Sequence, residues 1–550
     1  MRLSSFVRGL VSLSLAVPCL SLNFGTFDSR EATISSVHSA LFGGTVSCRE
    51  VVSSFLSRIE RYNGDINALI GLNPHALSIA DEMDKALAAG NATGSLFCIP
   101  ILLKDNFDTV DMKTTGSCLD LKDSQPTVDA PTVTAFRKAG AIILGKANLH
   151  ELALEGLSVS SAGGQTLNPY DLTRTPGGSS GGTGAAIAAS FAVFGTGTDT
   201  VNSLRSPASA NSLFSIRSTR GLLSRAGVIP ISYTQDVVGP IARSLEDVAA
   251  ALTVMASVGY DPADNATALV PPFTTGVDYS AALYGGTLKG VRLGLLLPFF
   301  NRTNSDETAP VNEVMDSMVA ELKAAGAIVV PIKESVYNAT AIIDSCDVQR
   351  FEYREAMDQY LQNDGLQGEH PQTLQELYES GKYLVIPSEY SYVNDALVSS
   401  TSNSSYISRQ RKIQNLILTL KTTFKTNNLD AIIYPEQKNL VVKVGSPSQS
   451  GRNGILGAVT GFPVVTVPAG FSPATEDAPI GVPIGMEILG LPWTEPKILN
   501  IAARITDIKK IRRMPKLTEK AVPIRPYKSV PSIVPDTKNI PSAYPIGTLS

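Results

Sequence analysis

The sequence predicts an α/β protein in which helices cover both faces of a large mixed β-sheet. Short apolar runs, suited to buried strands, alternate with stretches of helical periodicity across residues 31–513. Strands separated by helices belong to a largely parallel or mixed sheet whose two faces are both buried. The 550 residues, of which 43% are hydrophobic and 17% charged, are sufficient for a large globular core.

Two segments show the same succession of helix, glycine and strand. Residues 132–139 are predicted to form a helix that Gly140 ends, and residues 141–144 a buried strand. Residues 318–330 follow the same plan around Gly326, which is ordinary for α/β proteins and does not indicate an internal repeat. Further buried strands are predicted at residues 291–297, 431–434, 464–467 and 484–489.

The two ends of the chain differ from the predicted globular domain at residues 22–514. Residues 1–21 carry two arginines, then an apolar run and a small residue, which is the pattern of a signal peptide. We therefore expect a secreted protein. No later segment has the uninterrupted apolar length of a bilayer span, so we expect no integral membrane span. Prolines recur through residues 515–550, which predicts an extended tail lying on the surface or disordered.

Export would expose the cysteines to an oxidising compartment. Once Cys19 leaves with the signal peptide, Cys48, Cys98, Cys118 and Cys346 remain, and four cysteines allow three pairings. A Cys98–Cys118 disulfide is our first expectation because these two lie close in sequence. Four buried free thiols are the alternative, since a large core needs no covalent link. The candidate N-glycosylation sites are Asn91, Asn265, Asn301, Asn338 and Asn403.

The charge pattern narrows the possible partners. The formal net charge is −4 and no strongly basic stretch is present, so nucleic acid is not expected as a partner. The sequence implies neither a metal nor an organic cofactor, and it does not indicate an oligomeric state.

Three segments carry the candidate chemistry. Lys104 follows an apolar strand, where burial would lower its pKa and let a neutral lysine act as a base. Ser179 and Ser180 lie among four glycines before an Ala-rich helix, where serines can cap the helix or face a cleft. Ser203 lies in a loop of small residues that can aim backbone N–H groups at one point. Taken singly, these segments also have ordinary structural explanations. Lys104 could be a surface lysine at the end of a strand, and the segment with Ser179 and Ser180 could be a tight turn followed by a capped helix.

Together the three segments resemble the amidase signature family. Its pattern is an apolar strand with Lys-Asp, then Gly-Gly-Ser-Ser-Gly-Gly, then Gly-Thr-Asp-x-x-x-Ser-x-Arg-x-Pro. The spacings, 75 residues from Lys104 to Ser179 and 24 from Ser179 to Ser203, are also similar to those of the family. Other segments that resemble the family are residues 145–151, 225–230, 235–240, 430–435, 461–470 and 483–490.

The resemblance implies the amidase signature fold and a Ser-Ser-Lys mechanism on a small-molecule amide. Ser203 would be the nucleophile, Ser179 a proton relay after a cis peptide bond from Gly178, and Lys104 the base. Ser180 would hydrogen-bond within this network. The expected activity is hydrolysis of the C–N bond of a carboxylic amide through an acyl-enzyme, and no particular amide is indicated.

The segment before the nucleophile departs from the family pattern. The resemblance implies that the backbone N–H groups of Thr200, Val201, Asn202 and Ser203 bind the oxyanion. Family members commonly carry Gly-Gly where this chain has Val201-Asn202. Asparagine tolerates a left-handed backbone but valine does so poorly, so either the loop differs or Val201 has ordinary backbone angles. The two side chains could also narrow the acyl site or contact the substrate.

Five further residues are expected to support the site. Asp199 and Arg205 would pair beneath the loop, with direct substrate contact as the alternative. Asp105 and Asp236 would fix nearby backbone. His150 is expected to be structural, because this mechanism uses no histidine.

Three other functions compete with a secreted amidase. Residues 177–181 satisfy Gly-x-Ser-x-Gly, so Ser179 could be the nucleophile of an α/β-hydrolase, with His370 as the late histidine. An amidotransferase A subunit, which releases ammonia for transfer onto charged tRNA, would act with partner subunits inside a cell, which the signal peptide disfavours. An inactive amidase scaffold could serve as a secreted binding protein.

Overall fold

A mixed sheet of eleven strands forms the centre of the molecule. The computed structural model describes residues 27–549, so the predicted signal peptide lies outside the described residues. In chain order the strands are β1 Leu69–Leu72, β2 Ile99–Lys104, β3 Ala141–Ala147, β4 Phe194–Asp199, β5 Phe214–Arg217, β6 Val237–Ala242, β7 Arg292–Leu296, β8 Ile328–Ile332, β9 Ala431–Pro435, β10 Val464–Phe471 and β11 Pro483–Leu489.

The strand order across the sheet is β1-β3-β2-β4-β6-β5-β10-β11-β9-β7-β8. Strand β2 runs parallel to β3 and β4, and β7 runs parallel to β8 and β9. The other pairings are antiparallel. The prediction of a mixed sheet is therefore confirmed. Two short ribbons pair Gln125–Pro126 with Leu366–Gln367, and Val159–Ser160 with Gly164–Gln165.

Helices flank the sheet along its length. They are α1 Ile34–Phe42, α2 Cys48–Ile66, α3 Ala76–Ala88, α4 Pro131–Lys138, α5 Gly181–Ala188, α6 Arg205–Ala210, α7 Leu245–Ala256, α8 Ala309–Ala324, α9 Ala339–Cys346, α10 Gln349–Leu361, α11 Leu374–Glu379, α12 Tyr390–Val398, α13 Ser404–Thr426, α14 Ile455–Thr460 and α15 Glu495–Ile508. No helix among the described residues has the length and apolar character needed to cross a bilayer.

Both faces of the sheet are buried across its central strands, as the alternation of side chains along β9 and β10 shows. Consecutive residues of a strand point to opposite faces. Ile433 and Val465 belong to the core cluster that includes residues of α2 and α7. Their neighbours Ile432 and Val464 belong to a second cluster with residues of α9, α13 and α14. Apolar side chains therefore fill both sides of the sheet at β9 and β10, whereas the edge strand β8 is partly exposed.

The predicted elements are present, most of them with small shifts in their ends, but α8 begins at Ala309 and not at residue 318. The helix expected at residues 132–139 is α4, and the strand after it continues to Ala147 as β3. Gly140 between them has φ +89°, and a Cβ there would lie 2.8 Å from the Phe97 Cα. Only glycine combines that backbone angle with that close approach, so it ends the helix.

The predicted Cys98–Cys118 disulfide is wrong, because Cys98 pairs with Cys48. Cys48 begins α2 and Cys98 immediately precedes β2, and their Cα atoms are 5.8 Å apart. Cys118 and Cys346 are free and buried. Between Cys98 and Cys118, β2 carries the chain about 20 Å along the sheet. Cys118 consequently lies in another apolar cluster, with its Sγ 3.7 Å from the Lys382 carbonyl oxygen.

Residues 515–549 lie extended along the surface of the domain. Apart from single 3₁₀ turns at Lys516–Thr518 and Thr537–Asn539, this part of the described chain forms no helix and no strand of a sheet. The Arg58 guanidinium donates to the Thr518 carbonyl oxygen at 2.8 Å, and the Asp536 N–H donates to Asn67 Oδ1 at 3.0 Å. These contacts fasten the proline-rich tail to α2 and to the residue that follows it.

Candidate active site

Lys104, the last residue of β2, has no exposed surface. Its Nζ lies 2.7 Å from Ser179 Oγ and 2.7 Å from Thr198 Oγ1. Burial lowers the Lys104 pKa to about 7, although the charges of Asp199 and Asp236 oppose this shift. A substantial fraction of the amine is therefore neutral at neutral pH and able to accept a proton.

The loop before α5 presents Ser179 to this amine. The peptide bond between Gly178 and Ser179 is cis, as the resemblance implies. A Cβ on Gly178 would lie 2.6 Å from Ser158 Oγ, so the loop can pack there only with glycine. The His150 N–H donates to the Ser179 carbonyl oxygen at 3.0 Å. Ser180 Oγ lies 3.4 Å from the Thr198 carbonyl oxygen, which ties this loop to the end of β4.

Ser203 lies in the short segment between the end of β4 and the start of α6, with 7% of its surface exposed. Its carbonyl oxygen accepts a hydrogen bond from the Ser180 N–H at 3.3 Å. The segment that carries Ser203 therefore lies directly against the segment that carries Ser179. The structure brings together the three residues that the sequence places in one mechanism.

The backbone before Ser203 is suited to binding an anion. The N–H groups of residues 200–203 donate no hydrogen bond to any residue between Phe27 and Leu549. Neither Val201 nor Asn202 has a positive φ, so the two side chains that replace the common glycines occupy ordinary backbone space. Four unpaired donors next to a serine form the kind of site that stabilises an oxyanion.

A buried ionic network lies beneath this loop. Arg205 Nε lies 2.9 Å from Asp199 Oδ2, and Arg205 Nη1 lies 2.9 Å from Glu487 Oε2. Arg217 Nη1 lies 2.8 Å from Asp199 Oδ1. Burial alone would raise the Asp199 pKa, but the two arginines outweigh it and lower that pKa to about 2. The expected pairing of Asp199 with Arg205 is present, and it fixes the loop from below.

Asn202 contacts a second buried carboxylate. Its Nδ2 donates to Glu436 Oε1 at 3.2 Å, and neither side chain is appreciably exposed. Glu436 Oε2 has no hydrogen-bond partner among the described residues. Burial, together with the charge of nearby Glu487, raises the Glu436 pKa. The asparagine that departs from the family pattern is thus anchored within the protein.

Asp105 and Asp236 hold backbone, as their positions in the sequence suggest. Asp105 Oδ2 accepts from the N–H groups of Thr115 and Ser117, each at 3.2 Å. Asp236 Oδ2 accepts from the N–H groups of Ile231 and Ser232, each at 2.8 Å. Both carboxylates fix loops next to the strands that carry the candidate residues.

The contacts of His150 and His370 support a catalytic role for neither. Burial lowers the His150 pKa to about 3, which keeps the ring neutral. The ring nitrogens of His370 lie near the carbonyl oxygens of Pro371 and Leu366. Because Ser179 Oγ contacts Lys104 instead, the geometry disfavours an α/β-hydrolase triad built on Ser179 and His370.

Two contributors to the site were not predicted from the sequence. Thr198 contacts the Lys104 amine and also accepts from Asn106 Nδ2 at 3.2 Å. The sequence signal that could have indicated Thr198 is its position directly before Asp199 in the Gly-Thr-Asp motif. Glu436 follows the predicted strand at residues 431–434, but nothing local to it indicates a contact with Asn202.

Comparison with known proteins agrees with this arrangement. Residues 50–499 match the family described as Amidase. The glutamyl-tRNA(Gln) amidotransferase A subunit of Synechococcus sp. (strain CC9605) is 30% identical over 86% of this chain and 96% of its own. A probable amidase of Arabidopsis thaliana is 30% identical over 89% of this chain and 92% of its own. The native peptide amidase of Stenotrophomonas maltophilia has a similar structure, with 30% identity, a TM-score of 0.76, and coverage of 88% of this chain and 99% of that one.

The fold and the site therefore define a hydrolase that acts on amide C–N bonds. The chain belongs to the amidase family, with the fold of the amidase signature enzymes.

Proposed function

We propose that this protein is a secreted amidase that hydrolyses small, linear, non-peptide carboxylic amides through an acyl-enzyme on Ser203. The observation that carries the proposal is the 2.7 Å contact between Lys104 Nζ and Ser179 Oγ, next to the segment that carries Ser203. A serine hydroxyl is a weak nucleophile until a base removes its proton, and here a buried amine and a second hydroxyl can provide that base.

Acylation moves one proton along this chain of groups. Neutral Lys104 takes the proton of Ser179 Oγ, which takes the proton of Ser203 Oγ as that oxygen bonds to the substrate carbonyl carbon. The resulting oxyanion is bound by the N–H groups of residues 200–203. The C–N bond then breaks, and the leaving nitrogen receives a proton from Ser179, which Lys104 restores.

Deacylation repeats the sequence with water as the nucleophile. Water adds to the acyl carbon and passes a proton to Ser179 and from there to Lys104. The bond between Ser203 Oγ and the acyl carbon then breaks, Ser203 Oγ takes a proton from Ser179, and Lys104 returns its extra proton to Ser179. The products are a carboxylic acid and ammonia or an amine, and the three residues return to their starting states.

Two observations support export. The first is the Cys48–Cys98 disulfide, because disulfides form and persist in oxidising compartments. The sequon asparagines are also accessible: four are exposed and Asn301 is half-buried. Although relatives at about 30% identity are named as amidotransferase A subunits, the predicted signal peptide and the disulfide favour a free extracellular amidase over that function.

A panel of primary amides and anilides tests the proposed activity. The purified mature chain is expected to release ammonia or aniline from at least one panel member, and Ser203→Ala is expected to lower kcat by at least about 10⁴-fold. Correct folding of the variant is checked by its thermal unfolding. If the enzyme hydrolyses no member of a wide panel, the proposal is refuted.

A further inference from the structure

A cavity of about 740 Å³ opens beside the candidate catalytic residues. Its lining includes Thr198, which contacts the Lys104 amine, and Thr200. Thr200 is the first residue of the segment 200–203, which we call the anion-binding loop. The volume suits a small organic molecule.

Most of the cavity wall is apolar. Ile229, Ile231 and Val238 line it, and each is almost fully buried apart from the surface it presents there. Tyr233 is 43% exposed, and its hydroxyl donates to Gln359 Oε1 at 3.0 Å. An apolar substrate group would bind favourably in this cavity, because binding would remove apolar surface of both the group and the wall from water.

Charged side chains in the wall are already paired or held by donors. Among the described lining residues, only Arg225, Asp236 and Asp264 carry charge. Arg225 Nε and Nη2 lie 2.8 and 2.6 Å from the two carboxylate oxygens of Asp264. Arg225 Nη1 donates to the Tyr233 carbonyl oxygen at 2.8 Å. The one cation of the wall therefore has no free edge for a substrate carboxylate.

The remaining charge is negative and lies close to the anion-binding loop. Asp236 Oδ1 accepts from Thr200 Oγ1 at 2.7 Å, while Oδ2 accepts from two backbone N–H groups. A substrate carboxylate in the cavity would be near this anion and would lose its water without gaining a cation. Burying an unpaired ion is costly, whereas an uncharged group meets no such penalty.

We propose that this cavity holds the body of the substrate and selects uncharged, largely apolar amides over amides that carry a carboxylate. Selection against the carboxylate comes from the closed Arg225–Asp264 pair and from Asp236. The proposal rests on the proposed amidase activity and adds the substrate class to it.

A substrate series of matched length tests the selection. The three amides differ only at the end remote from the amide group. That end is apolar in hexanamide, polar and uncharged in 6-hydroxyhexanamide, and anionic in 6-amino-6-oxohexanoate. The expected kcat/KM of the wild-type enzyme is at least about tenfold lower for the carboxylate than for either uncharged amide. Equal or faster hydrolysis of the carboxylate would overturn this inference alone. No hydrolysis of any of the three would count against the proposed amidase activity.

A variant that frees the arginine provides the converse test. Asp264→Asn removes the charge that occupies Arg225 while nearly preserving volume, so the ratio of kcat/KM for carboxylate over hexanamide is expected to rise about tenfold. Asp316→Asn is the matched control, because Asp316 pairs with Arg302 at an exposed site away from the cavity. A folded Asp264→Asn enzyme with an unchanged ratio would overturn the proposal. If that variant does not fold, the wild-type series decides.

Discussion

Lys104 is unusual among buried lysines because its amine has no carboxylate partner. Within the described part of the chain, no Asp or Glu oxygen lies within 4.0 Å of its Nζ, whereas buried Lys146 lies 3.6 Å from Asp105. The two groups in contact with Lys104 are hydroxyls, which can hydrogen-bond to a neutral amine. The surroundings of Lys104 thus favour a base over a structural cation.

This environment predicts how the rate depends on pH. Below a pKa of about 7 Lys104 is protonated and cannot accept a proton, so kcat/KM should rise with pH and level off above that value. Rates of amide hydrolysis measured across this range check the expectation. Lys104→Arg, which stays charged, should lose about 10²–10⁴-fold in kcat/KM and show no rise near pH 7. A wild-type rate independent of pH across this range would contradict the role of Lys104.

Asn202 is one of the two residues at which this chain leaves the family pattern, and its side chain hydrogen-bonds to Glu436. Asn202→Ala removes the donor to Glu436 Oε1, and is expected to lower the free energy of unfolding by about 1–3 kcal/mol and to reduce kcat. Denaturant unfolding and kcat/KM measure the two effects. The control, Asn304→Ala, changes an exposed asparagine and should alter stability by less than about 0.5 kcal/mol. Equal stabilities for the two variants would show that the Glu436 contact is dispensable.

At the scale of elements, two parallel strands explain why distant residues meet. Strands β2 and β4 are neighbours, with Leu102 opposite Gly195, and they end at Lys104 and Asp199. The carboxyl ends of parallel strands lie at the same edge of a sheet, where loops are free to carry functional groups. The loop before α5 and the loop after β4 meet at that edge.

The Cys48–Cys98 disulfide should stabilise the packing of α2 beside the start of β2. It closes a loop with a sequence separation of 50, so replacing both cysteines by alanine is expected to cost about 4 kcal/mol, measured by denaturant unfolding. Cys118→Ala, which removes a free thiol, is the control and should cost less. The unfolded, unreduced chain without residues 1–21 should show two reactive thiols, and four would contradict the disulfide.

How much of this site the sequence could predict depends on how far apart along the chain the contacting residues lie. Lys104, Ser179 and Ser203 lie in local motifs of glycine, serine and strand residues, so their types and spacings were informative. The bond between Asn202 and Glu436 joins residues 234 positions apart, and packing alone sets it. The disulfide partner and the Arg225–Asp264 pair likewise depend on tertiary contacts. The pattern of apolar strands predicted the sheet, but not its strand order.

At the scale of the whole molecule, the chain is proposed to reach the medium as a glycoprotein. Expression in a eukaryotic secretory host should yield protein in the medium that lacks residues 1–21 and migrates faster after enzymatic removal of N-glycans. The control is a variant with glutamine at all five sequon asparagines, which should show no such shift. Retention inside the cell with residues 1–21 intact would contradict export.

At the scale of the whole molecule, the central claim is that Ser203 is the nucleophile, and covalent labelling tests that proposal most directly. A fluorophosphonate probe, which reacts with activated serine, should add once per chain, and mass spectrometry should map the adduct to Ser203. Ser206→Ala, a buried serine three residues away, should label normally, whereas Ser203→Ala should not label. An adduct on Ser179, or no adduct on a folded wild-type protein, would contradict the account.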